Sequence, residues 1–282
     1  MDQFAGRVAV VTGAGSGMGK AFATRFAAEG MKVIAADIQQ DALATTVAEL
    51  SAAGHEVAGV HTDVADPASV RRLADQAAAR FGAVHLLCNN AGVEGYLDGA
   101  IWDATDHDWT WTVNVNFWSV VHGLRAFVPL MLAHGEPGHI VNTCSMTAVI
   151  RAGNMYGITK HAVLALTEVL DSDLRARDAA IGVTALCPGI IATNLFWGSR
   201  NRPAELRNDA ATEGARRGRE LRERMHATLA EGMSPAEVAA KLVAAIRGNA
   251  LYLLTDHEWD DRVRERHEAI MAGAVPARAG AR

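Results

Sequence analysis

A glycine-rich turn near the start of the chain constrains the fold more than any other feature. Residues Thr12 to Gly19 read Thr-Gly-Ala-Gly-Ser-Gly-Met-Gly and lie between a β-branched run, Arg7–Thr12, and a helical pattern, Gly17–Glu29. In such a strand–turn–helix unit the backbone can approach a pyrophosphate, and the helix N-terminus favours its negative charge. The spacing departs from Gly-x-Gly-x-x-Gly, because Met18 stands where the last glycine would fall, so a purely structural turn is the alternative.

Short strand patterns and longer helical patterns alternate along the rest of the chain. This alternation predicts βαβ units, which right-handed crossovers turn into a doubly wound parallel sheet of about seven strands with helices on both faces, a Rossmann-type α/β fold. The predicted strands are Arg7–Thr12, Lys32–Ala36, Glu56–Val60, Val84–Cys88, His139–Cys144, Ile181–Cys187 and Ala250–Leu254. The predicted helices are Gly17–Glu29, Gln39–Ala53, Pro67–Phe81, Asp106–Ala133 and Met155–Ala176.

No Pro-, Gly- or Ser-rich linker and no internal repeat divides the chain. We therefore predict one domain over 1–272 and a tail at 273–282 that is flexible or crosses to a neighbouring subunit. An insertion at about 195–232 follows the sixth predicted strand and carries eight arginines. These could form a basic patch for an anion or, as the alternative, a solvated helical face with i,i+4 ion pairs. The arginines are Arg200, Arg202, Arg207, Arg216, Arg217, Arg219, Arg222 and Arg224.

Composition argues against several other classes of protein. A formal net charge of −5 offers no basic field for nucleic acid. The three cysteines cannot form a disulfide framework and suit a reducing compartment. No secretory leader and no apolar run of about 20 residues is visible, so we expect a cytoplasmic protein without a membrane anchor. His267-Glu268 is followed by Met271 where a zinc motif needs histidine, and no Gly-x-Ser-x-Gly occurs, so neither a metal site nor a serine hydrolase is expected.

Asp37 closes the second predicted strand and is the candidate residue for choosing the cofactor. A carboxylate at this position can accept hydrogen bonds from the adenosine ribose and would repel a 2′-phosphate. Its neighbours Ala36 and Ile38 are uncharged, as is Ser16 in the glycine turn, so NAD is favoured over NADP. The alternative is that Asp37 only caps the next helix.

Tyr156 and Lys160 form the candidate catalytic pair. They are four residues apart in a helical pattern and should share one face, although this spacing is also common on surface helices. An ammonium about 4 Å from a phenolate, at an effective dielectric of about 20, interacts by about 4 kcal/mol, enough to lower the tyrosine pKa by up to about 3 pH units. Tyr156 could then act as a general acid and base. Ser145 could hold a substrate oxygen beside it, and Asn116 could bridge Lys160 to solvent through its backbone and an ordered water.

These motifs, together with Asp63-Val64, Asn89-Asn90-Ala91-Gly92, Val115-Asn116 and Pro188-Gly189, resemble the short-chain dehydrogenase/reductase family in its compact single-domain branch. The resemblance runs over nearly the whole chain. It implies that Asp63 and Val64 contact the adenine, that Asn90 shapes the end of the fourth strand, and that Ile190 and Thr193 hold the nicotinamide carboxamide. The cofactor residues that it implies are Thr12, Gly13, Gly15, Ser16, Gly17, Met18, Gly19, Asp37, Ile38, Asp63, Val64, Asn90, Ala91, Gly92, Tyr156, Lys160, Pro188, Gly189, Ile190 and Thr193.

The resemblance implies an NAD-dependent oxidoreductase that interconverts a secondary alcohol and a ketone. Tyr156 would be the acid and base, and Lys160 would lower its pKa and bind the nicotinamide ribose. Ser145 would position the substrate oxygen, and Asn116 would support a proton relay. Members of the family form dimers or tetramers, so a homo-oligomer is expected. The alternative is a non-catalytic NAD-sensing or scaffold protein, but proteins of that kind typically lose the tyrosine or the lysine.

The substrate pocket is predicted from loops at the carboxyl edge of the sheet. Its residues are mostly apolar with aromatic surfaces, which favours a bulky aryl or alicyclic substrate, although each could instead serve packing. The loop between Ser145 and Tyr156 is shorter than is usual in the family, so the opening above Tyr156 is expected to be altered. The candidates are Glu94, Gly95, Tyr96, Met146, Thr147, Ile150, Met155, Phe196 and Trp197.

Replacing Asp37 by alanine tests the cofactor assignment. Loss of the carboxylate should reduce the preference for NAD over NADP, because the 2′-phosphate is no longer repelled. The ratio of kcat/KM for the two cofactors, compared between the wild-type protein and Asp37→Ala, measures this. An unchanged ratio would contradict the assignment and leave Asp37 as a helix cap.

Overall fold

The computed structural model describes residues 1–209 and 213–274. Its strands are β1 (Val8–Thr12), β2 (Lys32–Asp37), β3 (Val57–His61), β4 (Leu86–Asn89), β5 (Gly138–Thr143), β6 (Ile181–Cys187) and β7 (Tyr252–Leu254). Its α-helices are α1 (Gly17–Ala28), α2 (Gln40–Ala52), α3 (Pro67–Phe81), α4 (Asp106–Val113), α5 (Ser119–His134), α6 (Met155–Arg175), α7 (Glu213–Ala230), α8 (Pro235–Arg247) and α9 (Asp260–Ala272). The predicted tail lies outside the described residues from 275 onward.

The strands form one parallel sheet in the order β3-β2-β1-β4-β5-β6-β7. The predicted doubly wound parallel sheet is confirmed, and each predicted strand agrees with the observed one to within two residues at either end. The strand order reverses between β1 and β4. In such sheets the loops after the two central strands diverge and open a crevice at the carboxyl edge, where ligands bind.

Helices cover both faces of the sheet because successive strand residues point to opposite sides. Val11 packs into a core with Phe22 of α1 and Leu242 of α8. The preceding residue, Val10, packs into a second core with Phe127 of α5. Removing a buried ring such as that of Phe22 typically costs about 3–5 kcal/mol of stability. The two cores therefore hold the helices firmly against the sheet whose edge forms the crevice.

The long helix predicted over Asp106–Ala133 is one continuous helix with a π-helical turn at Asn114–Trp118 between α4 and α5. A capping box starts it, in which Thr105 Oγ1 accepts from the Asp108 N–H. Within the described residues, Asp106–His134 is also the helix that could cross a membrane by length and composition alone, a test that core helices pass too. The prediction was that no uninterrupted apolar run of about 20 residues occurs, and polar residues such as Thr112, Asn114 and Asn116 do interrupt this helix. The apolar character has a structural reason, since Phe127 and Met131 are buried in the core.

A buried histidine makes the stability depend on pH. His139 in β5 is fully buried, with Nε2 2.8 Å from Thr184 Oγ1, and burial lowers its pKa from 6.5 to about 3. The unfolded chain therefore binds a proton that the folded chain does not. The contribution of His139 to the free energy of unfolding should have its full value above pH 6.5. It should fall as the pH drops toward 3, by up to about 1.4 kcal/mol per pH unit.

Urea unfolding of wild-type and His139→Gln at about pH 7.5 and about pH 4.5 measures this contribution. The variant should be less stable at the higher pH, because a packed side chain is altered, but should lose less stability on acidification. Burial also lowers the pKa of His85. This histidine and the paired carboxylates contribute equally to the pH dependence of the wild-type protein and of the variant. Equal losses in the two proteins would contradict the prediction.

Candidate active site

The glycine turn presents backbone to the crevice. Gly13 and Gly17 have φ values of +69° and +52°, which favour glycine. A Cβ at Gly19 would overlap the carbonyl oxygen of Gly13, so a side chain there has no room. Ser16 precedes α1, and its side chain makes no capping hydrogen bond to the first N–H groups of the helix. Those N–H groups and the close approach of backbone fit a pyrophosphate.

Thr12 ties the glycine turn to the loop after β4. Its Oγ1 accepts hydrogen bonds from the backbone N–H groups of Asn90 (2.9 Å) and Ala91 (3.1 Å). Asn90 Nδ2 donates in return to the Thr12 carbonyl at 3.0 Å. The two loops at the point where the strand order reverses are therefore held as one unit.

Asp37 links the glycine turn to the end of β2. Its carboxylate accepts from the backbone N–H of Gly15 and from that of Gln39, each at 2.8 Å. Gln39 is the N-cap residue of α2, so Asp37 does support the start of that helix. It also lines the crevice, and its role toward the adenosine ribose stays a prediction.

The crevice runs along the carboxyl edge from Asp37 to Tyr156. Five predicted cofactor residues do not line it, and they are Thr12, Gly15, Pro188, Gly189 and Ile190. Pro188 and Gly189 bond to neighbouring loops, through Met146 N–H and Thr255 Oγ1. The predicted cofactor residues that line it are Gly13, Ser16, Gly17, Met18, Gly19, Asp37, Ile38, Asp63, Val64, Asn90, Ala91, Gly92, Tyr156, Lys160 and Thr193.

Tyr156 and Lys160 project from the first turns of α6 into this crevice. Asn154 caps the helix, accepting from the Gly157 N–H at 3.0 Å. Lys160 is buried and its Nζ donates to the Thr143 carbonyl at 2.7 Å. The same Nζ lies 5.5 Å from the centroid of the Tyr156 ring. The predicted sharing of one helix face is confirmed.

Burial dominates the electrostatics of the pair. It raises the pKa of Tyr156 to about 12, against the opposing hydrogen bond from Ser145, and lowers the pKa of Lys160 to about 8. In the chain by itself, burial therefore outweighs the predicted lowering of the Tyr156 pKa by Lys160, and that role of Lys160 stays a prediction. The ammonium makes its hydrogen bond to Thr143, and the loss of solvation disfavours charge on both groups.

Asn116 lies in the π-helical turn and is fully buried. Its Oδ1 accepts from the Val93 N–H at 2.8 Å, and its Nδ2 donates to the Val93 carbonyl at 2.9 Å and to Thr159 Oγ1 at 3.1 Å. The amide thus joins the helix to the loop after β4 and to α6. A water bridge through the Asn116 backbone stays a prediction.

None of the predicted substrate residues, all of which lie in the described part of the chain, lines this crevice. Tyr96, Met146 and Met155 are buried in packing, Trp197 is exposed and meets His226 edge-on, and the roles of all nine candidates stay predictions. Glu94 is buried, and burial raises the pKa of its carboxyl group. Those still predicted to contact substrate are Glu94, Gly95, Tyr96, Met146, Thr147, Ile150, Met155, Phe196 and Trp197.

Two arginines of the insertion point inward. Arg222 NH1 lies 3.0 Å from Asp98 Oδ1, and its Nε lies 3.5 Å from Glu94 Oε1. Arg202 pairs with Asp108. An exposed i,i+4 pair between Arg216 and Glu220 does occur. The prediction of a solvated face thus holds for that pair and is wrong for Arg202 and Arg222, whose partners are remote in sequence.

Sequence reasoning missed much of the opposite wall of the crevice. Val115 could have been predicted to line the crevice, because it precedes Asn116 in the Val115-Asn116 motif. The others carry no local signal, since most of them belong to the insertion or to α4. The crevice residues that were missed include Gln39, Trp111, Asn114, Val115, Leu195, Gly198, Arg200, Asn201, Pro203 and Leu206.

Comparisons with known proteins agree with this geometry. Residues 7–204 match the family model for short chain dehydrogenases. The chain is 43% identical over 194 residues to the 1-deoxy-11-beta-hydroxypentalenate dehydrogenase of Streptomyces exfoliatus, covering 68% of this chain and 70% of that protein. It is 32% identical over 279 residues to the C alpha-dehydrogenase of a Sphingobium species, covering 98% and 89%. A crystal structure of a short chain dehydrogenase/reductase from Burkholderia phymatum in complex with NAD matches at a TM-score of 0.94, with 41% identity and 100% of both chains covered.

The chain therefore belongs to the short-chain dehydrogenase family. It is an oxidoreductase of that type, and its relatives include dehydrogenases.

Replacing Asn116 by alanine should destabilise the fold. The change removes three hydrogen bonds and leaves the buried N–H and C=O of Val93 unpaired. Each unpaired buried polar group costs about 1–3 kcal/mol, so a loss of about 2–6 kcal/mol in the free energy of unfolding is expected from urea titration. Asn114→Ala, in the same turn but half-buried, is the matched control. A loss no larger than that of the control would contradict the structural role of Asn116.

Proposed function

We propose that the protein is an NAD-dependent dehydrogenase that interconverts a secondary alcohol and a ketone. The observation that carries this proposal is the meeting of two sets of residues in one crevice. The glycine turn and Asp37 lie toward one end, and Tyr156 and Lys160 lie toward the other. A dinucleotide bound by the first set would extend toward the second, where proton transfer can accompany hydride transfer.

A bound nicotinamide cofactor supplies the hydride acceptor or donor, and the residues of the chain handle the proton. Tyr156 Oη would give a proton to, or take one from, the substrate oxygen. The Ser145 hydroxyl, whose influence lowers the pKa of that phenol against the effect of burial, would hold the same oxygen. Lys160 would stabilise the phenolate, because a charge interaction is strong in a buried site.

The preference for NAD is supported by Asp37 and by one relative. Its carboxylate is held by two backbone N–H groups at the crevice wall, where it can accept from ribose hydroxyls and would repel a 2′-phosphate. The Burkholderia phymatum relative was crystallised with NAD. Arg200 lines the same crevice, but its guanidinium donates to the Trp197 carbonyl and to Gln39 Oε1.

The proposed substrate is a bulky aryl or alicyclic secondary alcohol, or the corresponding ketone. The Streptomyces exfoliatus relative is a dehydrogenase of 1-deoxy-11-beta-hydroxypentalenate. The crevice wall includes apolar Val93 and Leu195. Apolar walls with few polar groups suit a large apolar substrate.

We also propose a single domain over 1–272, a homo-oligomer and a cytoplasmic location. One sheet takes its strands from the whole of residues 8–254, which supports the single domain. Trp118, Ile158 and Val169 are exposed apolar residues on the helices that family members pair between subunits, which supports a dimer or tetramer. The free cysteines Cys88, Cys144 and Cys187 suit a reducing compartment.

Tyr156→Phe should abolish turnover and leave cofactor binding intact, because only the phenolic hydroxyl is lost. NADH formation from NAD⁺ with a panel of secondary alcohols, from small alicyclic to bulky benzylic, should fall by about 10²–10⁴-fold in the variant. The dissociation constant of NADH, measured by fluorescence, serves as the control and should not change.

Normal turnover by Tyr156→Phe would contradict the assignment of Tyr156. Tight NADH binding by the wild-type protein without turnover of any alcohol or ketone in the panel would favour the non-catalytic NAD-sensing alternative.

A further inference from the structure

Residues 194–206, here called the strap, form part of the same crevice as the glycine turn and Asp37. Asn194, Leu195, Arg200, Asn201 and Leu206 are among the strap residues that line it. All of them except Asn194 belong to the insertion at about 195–232. A ligand bound along the crevice would therefore contact the strap, and its exit depends on whether the strap can move.

One attachment of the strap is to Gln39, two residues beyond the end of β2. Gln39 Nε2 donates to Asn201 Oδ1 at 2.9 Å, and Arg200 NH2 donates to Gln39 Oε1 at 3.1 Å. The backbone N–H of Gln39 donates to Asp37, the carboxylate assigned to the ribose. Gln39 thus connects the strap directly to the proposed adenosine end of the crevice.

A second attachment starts at the very next residue. Arg202 NH1 lies 2.7 Å from Asp108 Oδ1 at the start of α4, with both side chains largely buried. The Arg202 guanidinium also lies over the Trp111 ring, 5.2 Å from its centroid. Asn208 Nδ2 donates to both Asp108 oxygens at 2.9 Å. Adjacent residues of the strap therefore reach two separate walls, the end of β2 and the start of α4.

The two attachments differ in strength. The Arg202–Asp108 bond is charge-assisted and buried, and such bonds are roughly twice as strong as neutral ones. The bond between Gln39 and Asn201 joins two neutral amides that are only half-buried. The bond from Arg200 to Gln39 Oε1 is charge-assisted but exposed, so solvent and salt screen it. The Gln39 attachment is thus the one that opens more easily.

We propose that Gln39 and Asn201 form a latch that holds the strap closed over the dinucleotide and sets the rate at which the cofactor leaves. The proposal rests on the proposed function, since it requires a dinucleotide in the crevice. Gln39 and Asn201 act as positioning residues, because they hold the strap and take no part in the chemistry.

The test is the dissociation rate of NADH, followed by its fluorescence in stopped flow after mixing with excess NAD⁺. Asn201→Ala removes one neutral hydrogen bond of the latch and should speed release by about two- to twelvefold. Gln39→Ala also removes the bond from Arg200 and should speed release at least as much. The association rate should stay nearly constant, as it does for most changes within one interface.

The double variant separates a latch from two independent contacts with the cofactor. If the side chains act through each other, Gln39→Ala/Asn201→Ala should release NADH at about the rate of Gln39→Ala alone. Multiplied effects would overturn the latch. Gln40→Ala changes an exposed residue of the same type next in sequence and should release NADH at the wild-type rate.

The outcomes separate the two proposals. If wild-type protein fails to bind NADH, both the proposed function and the latch are contradicted. If it binds NADH but both single variants release it at the wild-type rate, the latch alone is wrong. The two variants remove opposite ends of one hydrogen bond. If melting curves show that one variant does not fold, the NADH release rate of the other variant alone tests the latch.

Discussion

Parallel strand pairing is the constraint on which the whole site depends, because it brings the ends of β1, β4 and β5 to one edge of the sheet. A single path of hydrogen bonds crosses that edge. It passes from Thr12 to Asn90, from Asn90 Oδ1 to Thr143 Oγ1 at 3.3 Å, and from the Thr143 carbonyl to Lys160 Nζ. A slip of one residue in any of these strands would turn its side chains to the other face and break the path. The glycine turn and Lys160 are therefore positioned by the same register.

Half-buried Tyr156 and buried Lys160 each carry a charge poorly alone, and each can stabilise a charge on the other. Burial disfavours the Tyr156 phenolate and the Lys160 ammonium alike. When one becomes charged, the low dielectric that penalised it also strengthens its attraction to the other. The Thr143 carbonyl keeps the ammonium in place without neutralising it. Such a site favours the transfer of a proton at Tyr156 only while another group nearby compensates the charge.

The sequence predicted those features that depend on local spacing. The alternation of strand and helix patterns predicted the parallel sheet. The four-residue spacing predicted that Tyr156 and Lys160 share one helix face. The raised pKa of Tyr156 was missed because burial does not show in spacing. The hydrogen bond between Gln39 and Asn201 and the ion pairs of Arg222 were missed because they join segments far apart in the chain. The pocket candidates came from loops, where no periodicity tells a crevice residue from a packed one.

The π-helical turn at Asn114–Trp118 works as a phase shift within one helix of 29 residues. An α-helix turns about 100° per residue, so the extra residue of a π turn rotates the later half relative to the earlier half by about that angle. Before the turn, Asp108 meets Arg202 of the strap, and after it, Phe127 packs against the sheet. The first half of the helix therefore presents one face to the strap, and the second half presents a different face to the sheet. Loss of one residue at the turn can be absorbed there by a return to α-helical hydrogen bonding, so that both halves keep their faces.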